Sequence, residues 1–181
     1  SSSATIALLQ NVARQAGPDG IHSVLGLAGA VPVLLGDNIG TTVTALLACI
    51  GQGKNAARAA LAHSCFNLSG SLLAAVLLGC KQYVSATAGS LRAQVQSAYA
   101  QTLTQQYPQA QQAFRQAAHN ARQASKKLGL LVRRNALDRM NETMAVLPQY
   151  ANPENQADLA VEAARVLAQI DQLEQCFTGT F

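Results

Sequence analysis

The stretch LLGDNIGTTVTALLACI, residues 34 to 50, is mostly apolar, yet polar side chains crowd its middle. The polar members are Asp37, Asn38, Thr41, Thr42 and Thr44. In hydrocarbon, every backbone polar group must be satisfied internally, and a charge at the bilayer centre costs about 2.5–3.5 kcal/mol on insertion scales. The pattern therefore indicates either a functional break inside a membrane helix or a plain turn between two shorter segments, with Asp37 at the interface.

The run around this stretch, residues 21 to 50, carries a single charge. A bilayer crossing needs about 20 residues, so this run is too long for one straight span. Pro32 removes a backbone hydrogen bond, and Gly36 and Gly40 weaken the helix that follows. The predicted elements are a helix near 21 to 35, a break at 36 to 40 and a second helix from about 41 to 50.

Such a break has a defined chemistry. A helix that begins near Thr41 points free N–H groups toward the break and forms an anion site. The preceding half-helix, which ends near Leu35, offers free carbonyls. Together with asparagine and threonine oxygens, these suit a hard cation such as Na⁺. Both kinds of site at one break are typical of ion-coupled transporters.

A second apolar run, residues 59 to 80, contains no Lys, Arg, Asp or Glu and predicts a second span, with Lys81 and Tyr83 as its interfacial anchor. One face of this helix is small and polar. Its members are His63, Asn67, Gly70, Ser71 and Ala74. Such a face packs against other helices or lines a cavity.

After Tyr83 the composition changes to alanine, glutamine and charged residues. Pro108 divides one helical segment from the next, and Asn152 with Pro153 predicts a helix start, with the asparagine as cap. Two apolar stripes follow a helical period. They are Leu128, Leu131, Val132, Met140, Met144 and Leu147, and then Leu159, Ala163, Val166, Ile170, Leu173 and Phe177. This part is predicted to form three or four amphipathic helices in a small bundle or hairpin.

Charge is unevenly distributed along the second half. Between Lys81 and Arg139 there are nine basic residues and one acid, and from Met140 onward there are six acids and one base. The two blocks pair within the bundle, or the basic block meets anionic lipid. No aromatics interleave with the basic residues, so no nucleic-acid partner is predicted. The four cysteines lack metal-ligand spacing, so no metal site is predicted. The positive-inside rule favours a cytosolic tail.

Three motifs carry a family resemblance: SSSAT (1–5), GDNIGTTVTALLA (36–48) and RAALAHSCFNLSGSLL (58–73), in that order. Over about residues 1 to 80, the sequence resembles the sodium/phosphate cotransporter family, the type II Na/Pi symporters and their bacterial relatives. That family builds its site near the midplane from two inverted repeats, each with a serine-rich hairpin and a broken helix. One such repeat is recognisable here, so a second repeat or protomer is an expected partner.

The resemblance implies roles for individual residues. Phosphate binding falls to Ser1, Ser2, Ser3 and Asn38, sodium binding to Asp37, Thr41 and Thr42, and pore-facing positions to His63 and Asn67. Asp37 departs from the family pattern, where a neutral residue is more usual. Inorganic phosphate, sodium and membrane lipids are the expected partners, with Na⁺ as a coupling ion and no other cofactor.

The resulting expectation is an all-α protein with membrane helices, one of them broken or re-entrant, followed by a soluble helical bundle or hairpin. Residues 1–83 form the membrane repeat, and residues 84–181 form a helical, cytosolic tail that fits in position the PhoU-like domain of bacterial relatives. The expected function is non-enzymatic, sodium-dependent phosphate symport in the cell membrane, as a multi-pass protein. The alternative is a membrane-anchored helical regulatory or interaction protein without transport activity.

Overall fold

The computed structural model describes residues 2–17 and 26–178, and this part of the chain consists of six α-helices joined by turns and short loops, with no strand. The predicted all-α class is confirmed. The helices are α1 (Ser2–Ala13), α2 (Gly26–Ala48), α3 (Lys54–Leu103), α4 (Tyr107–Leu128), α5 (Arg134–Tyr150) and α6 (Gln156–Thr178).

The chain forms two compact units, residues 1–77 and 78–181. Helix α3 contributes its first part to the first unit and its second part to the second. The assignment of residues 1–83 to the membrane and 84–181 to the cytosol stays a prediction, since it depends on surroundings that a single chain does not contain.

In the first unit, many apolar side chains are exposed and small polar side chains are buried, which is the reverse of a soluble domain. Helices α2 and α3 are long and apolar enough to cross a membrane, and only 6% of the most apolar window of each is buried. Large apolar side chains such as Leu47, Phe66 and Leu72 are exposed, whereas the small polar side chains of Thr42 and Ser71 are buried. Because a soluble protein rarely exposes so much apolar surface, this arrangement fits helices that face lipid outward and pack through small residues inward.

The break predicted at 36 to 40 is absent, because α2 runs without interruption from Gly26 to Ala48. The reason is local. Pro32 and the glycines weaken a helix without ending it, and the threonine hydroxyls bond to carbonyls inside it. The backbone N–H groups near Thr41 are therefore not free helix-start donors, and the plain turn does not form there either. The predicted helix start near residue 21 lies outside the described residues.

The turn that ends α2 comes about two residues earlier than predicted, because the helix ends at Ala48 and not near residue 50. Residues 49–53 connect α2 to α3, and Gly51 adopts a left-handed φ of 77°. That backbone conformation disfavours residues with a Cβ, so glycine suits this position.

The second unit is a four-helix bundle made of α3 from residue 78 onward with α4, α5 and α6. Its core contains Val84, Leu91 and Val95 from α3 and the fully buried Phe114 from α4. Both predicted apolar stripes contribute to it. Leu128, Val132, Met140, Met144, Leu147, Leu159, Ala163, Val166, Ile170 and Leu173 are buried, and Leu131 is partly buried. The side chain of Phe177 lies outside the described residues.

Short connections make sequential helices antiparallel. The side chains agree: Asn120 on α4 donates to Gln94 on α3 at 2.7 Å, and Gln111 near the start of α4 donates to the carbonyl of Ala151 after α5 at 3.1 Å. The end of the bundle where α3 enters, near Leu78, is therefore also the end that holds the α4–α5 connection.

Two local predictions at the helix starts have different outcomes. Pro108 lies at the start of α4, as expected from the prediction that it separates two helical segments. The predicted α6 start is wrong by a few residues, because Asn152 accepts bonds from the backbone N–H groups of Glu154 (3.1 Å) and Asn155 (3.0 Å) and caps a turn. The helix begins after that turn, at Gln156.

One basic residue, Arg92, pairs with the acidic block in the bundle, which supports one of the two sequence interpretations. Arg92 on α3 bonds to Asp171 and Glu174 on α6, and Ser85 donates to Glu174. The hydrogen bond to Asp171, and then that to Glu174, raises the pKa of Arg92 above its ordinary value. The three side chains are 30–51% exposed, and ion pairs with that much solvent contact contribute little to stability.

Candidate functional site

The candidate site begins where two sequence motifs meet. Helices α1 and α2 pack against each other. Between them, the Thr5 hydroxyl donates a hydrogen bond to Asp37 Oδ1 at 2.9 Å, and both side chains are half-buried. The bond joins the SSSAT motif to the GDNIGTT motif. A carboxylate held this way stays fixed in position and keeps acceptor capacity on its second oxygen.

Thr5 was missing from the predicted site set. The sequence did contain a signal, because Thr5 ends the SSSAT motif and follows Ser3 by two residues. Nothing in the sequence, however, shows which residue of α1 meets Asp37, since that depends on how the two helices pack.

The polar residues of α2 stand on two neighbouring strips. Asp37 and Thr41 are one helical turn apart, as are Asn38 and Thr42. Thr41 donates to the carbonyl of Asn38 at 2.9 Å, and Thr42 donates to the carbonyl of Ile39. Each hydroxyl uses its hydrogen within the helix and keeps oxygen lone pairs for a cation or a donor.

The polar residues of α2 differ in how far their side chains are buried. Thr42 is buried, Asp37 and Thr41 are half-buried, and Asn38 is exposed. The predicted sodium-binding residues therefore lie close together on α2, on its more covered side. Asn38, predicted to bind phosphate, points away from cover in the described chain.

The serines lie at the start of α1. Ser3 is in its first turn and is exposed, the backbone of Ser2 begins the helix, and Ser1 lies outside the described residues. The helix start nearest to Ser3 is thus that of α1, and not the start that was predicted near Thr41. Its first-turn N–H groups lack intrahelical partners, as in any helix.

The predicted small polar face of α3 is only partly correct. His63 is exposed and lies 3.2 Å from Asn67, measured between Nε2 and Nδ2, and Gly70 is exposed with open space around it. The less exposed face consists of Ala60, Ser64, Asn67, Ser71 and Ala74. Small residues at these intervals fit helix packing, one of the two interpretations that the sequence left open.

Ser71 is the most covered polar side chain of that face. It is 6% exposed, and its Oγ has no hydrogen-bond partner in the described part of the chain. His63 and Asn67, predicted to face a pore, bond to each other. Asn67 is the more covered of the two.

Short stretches of the chain are similar to known proteins. It is 48% identical over 54 residues to the human sodium-dependent phosphate transport protein 2B, and 50% identical over 54 residues to human sodium-dependent phosphate transport protein 2C. It is 42% identical over 52 residues to the uncharacterized protein YqeW of Bacillus subtilis. These matches cover 28–29% of this chain and 8–17% of those proteins.

The chain thus matches only a small fraction of the length of these curated relatives. No protein-family model matches the chain, and no solved structure matches it. The similarity supports relationship to sodium-dependent phosphate transport proteins at the level of a local segment, and the apolar helices support a membrane protein in general.

Proposed function

We propose that this chain supplies one half of a sodium-coupled phosphate symporter, with the first unit as its membrane repeat. The observation that carries the proposal is the Thr5–Asp37 hydrogen bond, which joins the two polar motifs inside an otherwise apolar unit. The local similarity to sodium-dependent phosphate transport proteins supports the same substrate pair.

Sodium is assigned to the covered side of α2. The Asp37 carboxylate and the Thr41 and Thr42 hydroxyl oxygens are hard oxygen ligands of the kind that Na⁺ prefers. Asp37 supplies a negative charge, which lowers the cost of bringing a cation into a low-dielectric region. Because Thr5 holds one carboxylate oxygen, the other is the one that points to the ion.

Phosphate is assigned to the start of α1. The hydroxyls of Ser1, Ser2 and Ser3 and the free N–H groups of the first turn are donors, and the positive end of the helix dipole favours an anion. A bound Na⁺ beside Asp37 would add positive charge near that helix start, which gives a physical basis for coupling between the ion and the anion.

A second set of ligands is part of the proposal. Asn38 is exposed, and His63 is exposed on α3. A second repeat or protomer packed on the first unit would cover these side chains and close the site, as two-repeat transporters do. His63 and Asn67 would then line the path.

Uptake tests this function directly. Membrane vesicles that contain the protein should accumulate ³²P-phosphate when Na⁺ is outside, and not when K⁺ replaces it. Asp37→Asn should shift the Na⁺ activation curve to higher concentration, while the matched removal of an exposed carboxylate in the second unit, Asp158→Asn, should leave it unchanged. Sodium-independent accumulation, or identical curves for the two variants, would contradict the proposal.

The runner-up function is a membrane-anchored helical interaction protein. It is favoured by the compactness of the second unit, which has its own apolar core. Both functions require that the protein resist carbonate extraction from membranes, and recovery as a monodisperse species without detergent would exclude both. Firm membrane insertion without any sodium-dependent uptake would select the runner-up.

A further inference from the structure

A group of basic residues surrounds the connection between α4 and α5. Lys126 and Lys127 end α4, and Arg133 and Arg134 begin α5. All four side chains are exposed. Arg122 and Arg134 also line a cavity of about 310 Å³ with Asp138, which is the one acid on that cavity wall. We call the connection with its four flanking cations, residues 126–134, the basic tip.

An apolar side chain projects from the basic tip. Leu130 is 90% exposed, the highest value among the large hydrophobic residues of the described chain. Its neighbours Leu128 and Val132 are buried, so the connection has apolar contacts in the core and still presents one leucine outward. Single exposed leucines are common, but here the leucine is flanked by four cations, and Asp138 is the one acid on the cavity wall that it shares.

Fold stability does not account for all of these charges. Lys126 and Lys127 complement the negative end of the α4 dipole. Arg133 and Arg134 stand at the positive end of α5, where a cation is unfavourable, and the first turn of α5 contains no acid. The arginines and the helix start therefore add to one positive field. A field of this kind attracts an anionic surface.

The position of the tip identifies that surface. The basic tip lies at the end of the bundle where α3 enters, and Tyr83 of α3 and Ala124 of α4 line one shared cavity there. The apolar run of α3 ends at Cys80, followed by Lys81. If that run crosses a bilayer, the chain leaves the hydrocarbon within about one helical turn of this end.

We propose that the basic tip docks onto anionic lipid headgroups of the bilayer that α3 crosses. Leu130 enters the boundary between headgroups and acyl chains, and Lys126, Lys127, Arg133 and Arg134 contact lipid phosphates around it. An exposed leucine flanked by basic side chains is typical of interfacial membrane contacts. Attraction to anionic lipid acts within about 10 Å of the surface at 0.1 M salt. The acidic side chains of the neighbouring face, Asp171 and Glu174, already pair with Arg92.

The chain contains no tryptophan, so one substitution gives a specific reporter. Leu130→Trp is measured in the full chain reconstituted into nanodiscs rich in phosphatidylglycerol. The expected result is blue-shifted indole emission that brominated lipid quenches. The matched control is Leu103→Trp, at the opposite end of the bundle, where the leucine is 67% exposed. Its emission should remain that of indole in water and should resist the brominated lipid.

The charges are tested in the Leu130→Trp background. Replacing the phosphatidylglycerol with phosphatidylcholine, raising the salt, or changing all four cations to glutamine should each reduce the lipid quenching several-fold. Because the fourfold variant changes a helix start, its circular dichroism is recorded beside it. If it misfolds, the lipid and salt series on the unchanged cations decides the question.

Three outcomes would overturn the proposal. Equal quenching in anionic and neutral nanodiscs would show that charge does not recognise the lipid. A blue shift without lipid quenching would show that protein covers Leu130. The same spectral change on adding inorganic phosphate to neutral nanodiscs would assign the basic tip to a soluble anion.

Discussion

The Thr5 hydroxyl donates to the Asp37 carboxylate at 2.9 Å, although the two residues are 32 positions apart in the sequence. The bond connects α1 to α2 at the level of the polar motifs. It gives Asp37, a costly residue in an apolar helix, a defined partner and a defined orientation.

The first prediction concerns this bond. Thr5→Val keeps the side-chain shape and removes the donor, so a half-buried carboxylate loses its partner. We expect a coupling energy between Thr5→Val and Asp37→Ala of about 1.5–3 kcal/mol, the range for hydrogen bonds to charged groups. The measurement is a double-mutant cycle on the urea midpoint in detergent solution. Thr44→Val, an exposed threonine that bonds only within α2, is the control. Additive effects of the two changes would show that the bond does not hold α1 to α2.

The second prediction concerns the threonines of α2. Thr41→Val and Thr42→Val each remove an oxygen ligand and keep the shape. We expect each to weaken the apparent affinity for Na⁺ or phosphate by tenfold or more, which corresponds to about 1.4 kcal/mol. Uptake is compared at matched expression, and Thr44→Val is again the control. If the curves of Thr41→Val and Thr42→Val match that of the unaltered protein, these residues serve helix packing alone.

The third prediction concerns the covered face of α3. Ser71→Leu adds volume to a buried position and should destabilise the protein by about 1–3 kcal/mol, through overpacking. Ser69→Leu places the same side chain on the exposed apolar side of the helix and should be tolerated. Ser71→Ala should be nearly neutral, because the Ser71 Oγ has no partner in the described part of the chain.

The readout is the apparent melting temperature in detergent. A decrease of several degrees is expected for Ser71→Leu alone, at about 2–4 °C per kcal/mol for a chain of this size. If Ser69→Leu lowers the melting temperature as much, the outward assignment of that side of α3 is wrong.

The fourth prediction separates core from surface in the bundle. Phe114→Ala should lower the free energy of unfolding by about 3–5 kcal/mol, because the ring is fully buried among the four helices. Arg92→Gln should lower it by less than about 1 kcal/mol, although the guanidinium has two carboxylate partners. Urea unfolding of the full chain in detergent, followed by pulse proteolysis of the second unit, measures both. An equal loss for the two variants would mean that the Arg92 ion pairs contribute as much to the bundle as the buried Phe114 does.

The fold class and the core of the second unit could be predicted from the sequence. Apolar residues at helical spacing, such as Met140, Met144 and Leu147, have one way to leave water in a bundle, and all three are buried. The two apolar runs likewise predicted helices of membrane length. The start of α6 was harder to predict from the sequence. Asn152 accepts bonds from the backbone N–H groups of the two residues at 154 and 155, and an asparagine makes such bonds when it caps a turn as well as when it caps a helix.

The predicted break in α2 shows why local signals fail. Pro32, Gly36 and Gly40 each weaken a helix, and polar side chains in an apolar run indicated a functional interruption. The helix continues because the threonine hydroxyls bond to carbonyls within it, which satisfies these polar groups without interrupting the backbone.

The sequence by itself determined that this protein is helical, that its first part is apolar enough for a membrane, and which polar residues stand inside that part. These properties follow from periodicity and transfer free energy, which act on each segment separately. Only the tertiary structure decided that Thr5 meets Asp37, that Ser71 is covered while Leu72 is exposed, and that Arg92 pairs with α6. Those relationships depend on how helices distant in sequence pack, and many packings share the same periodic pattern.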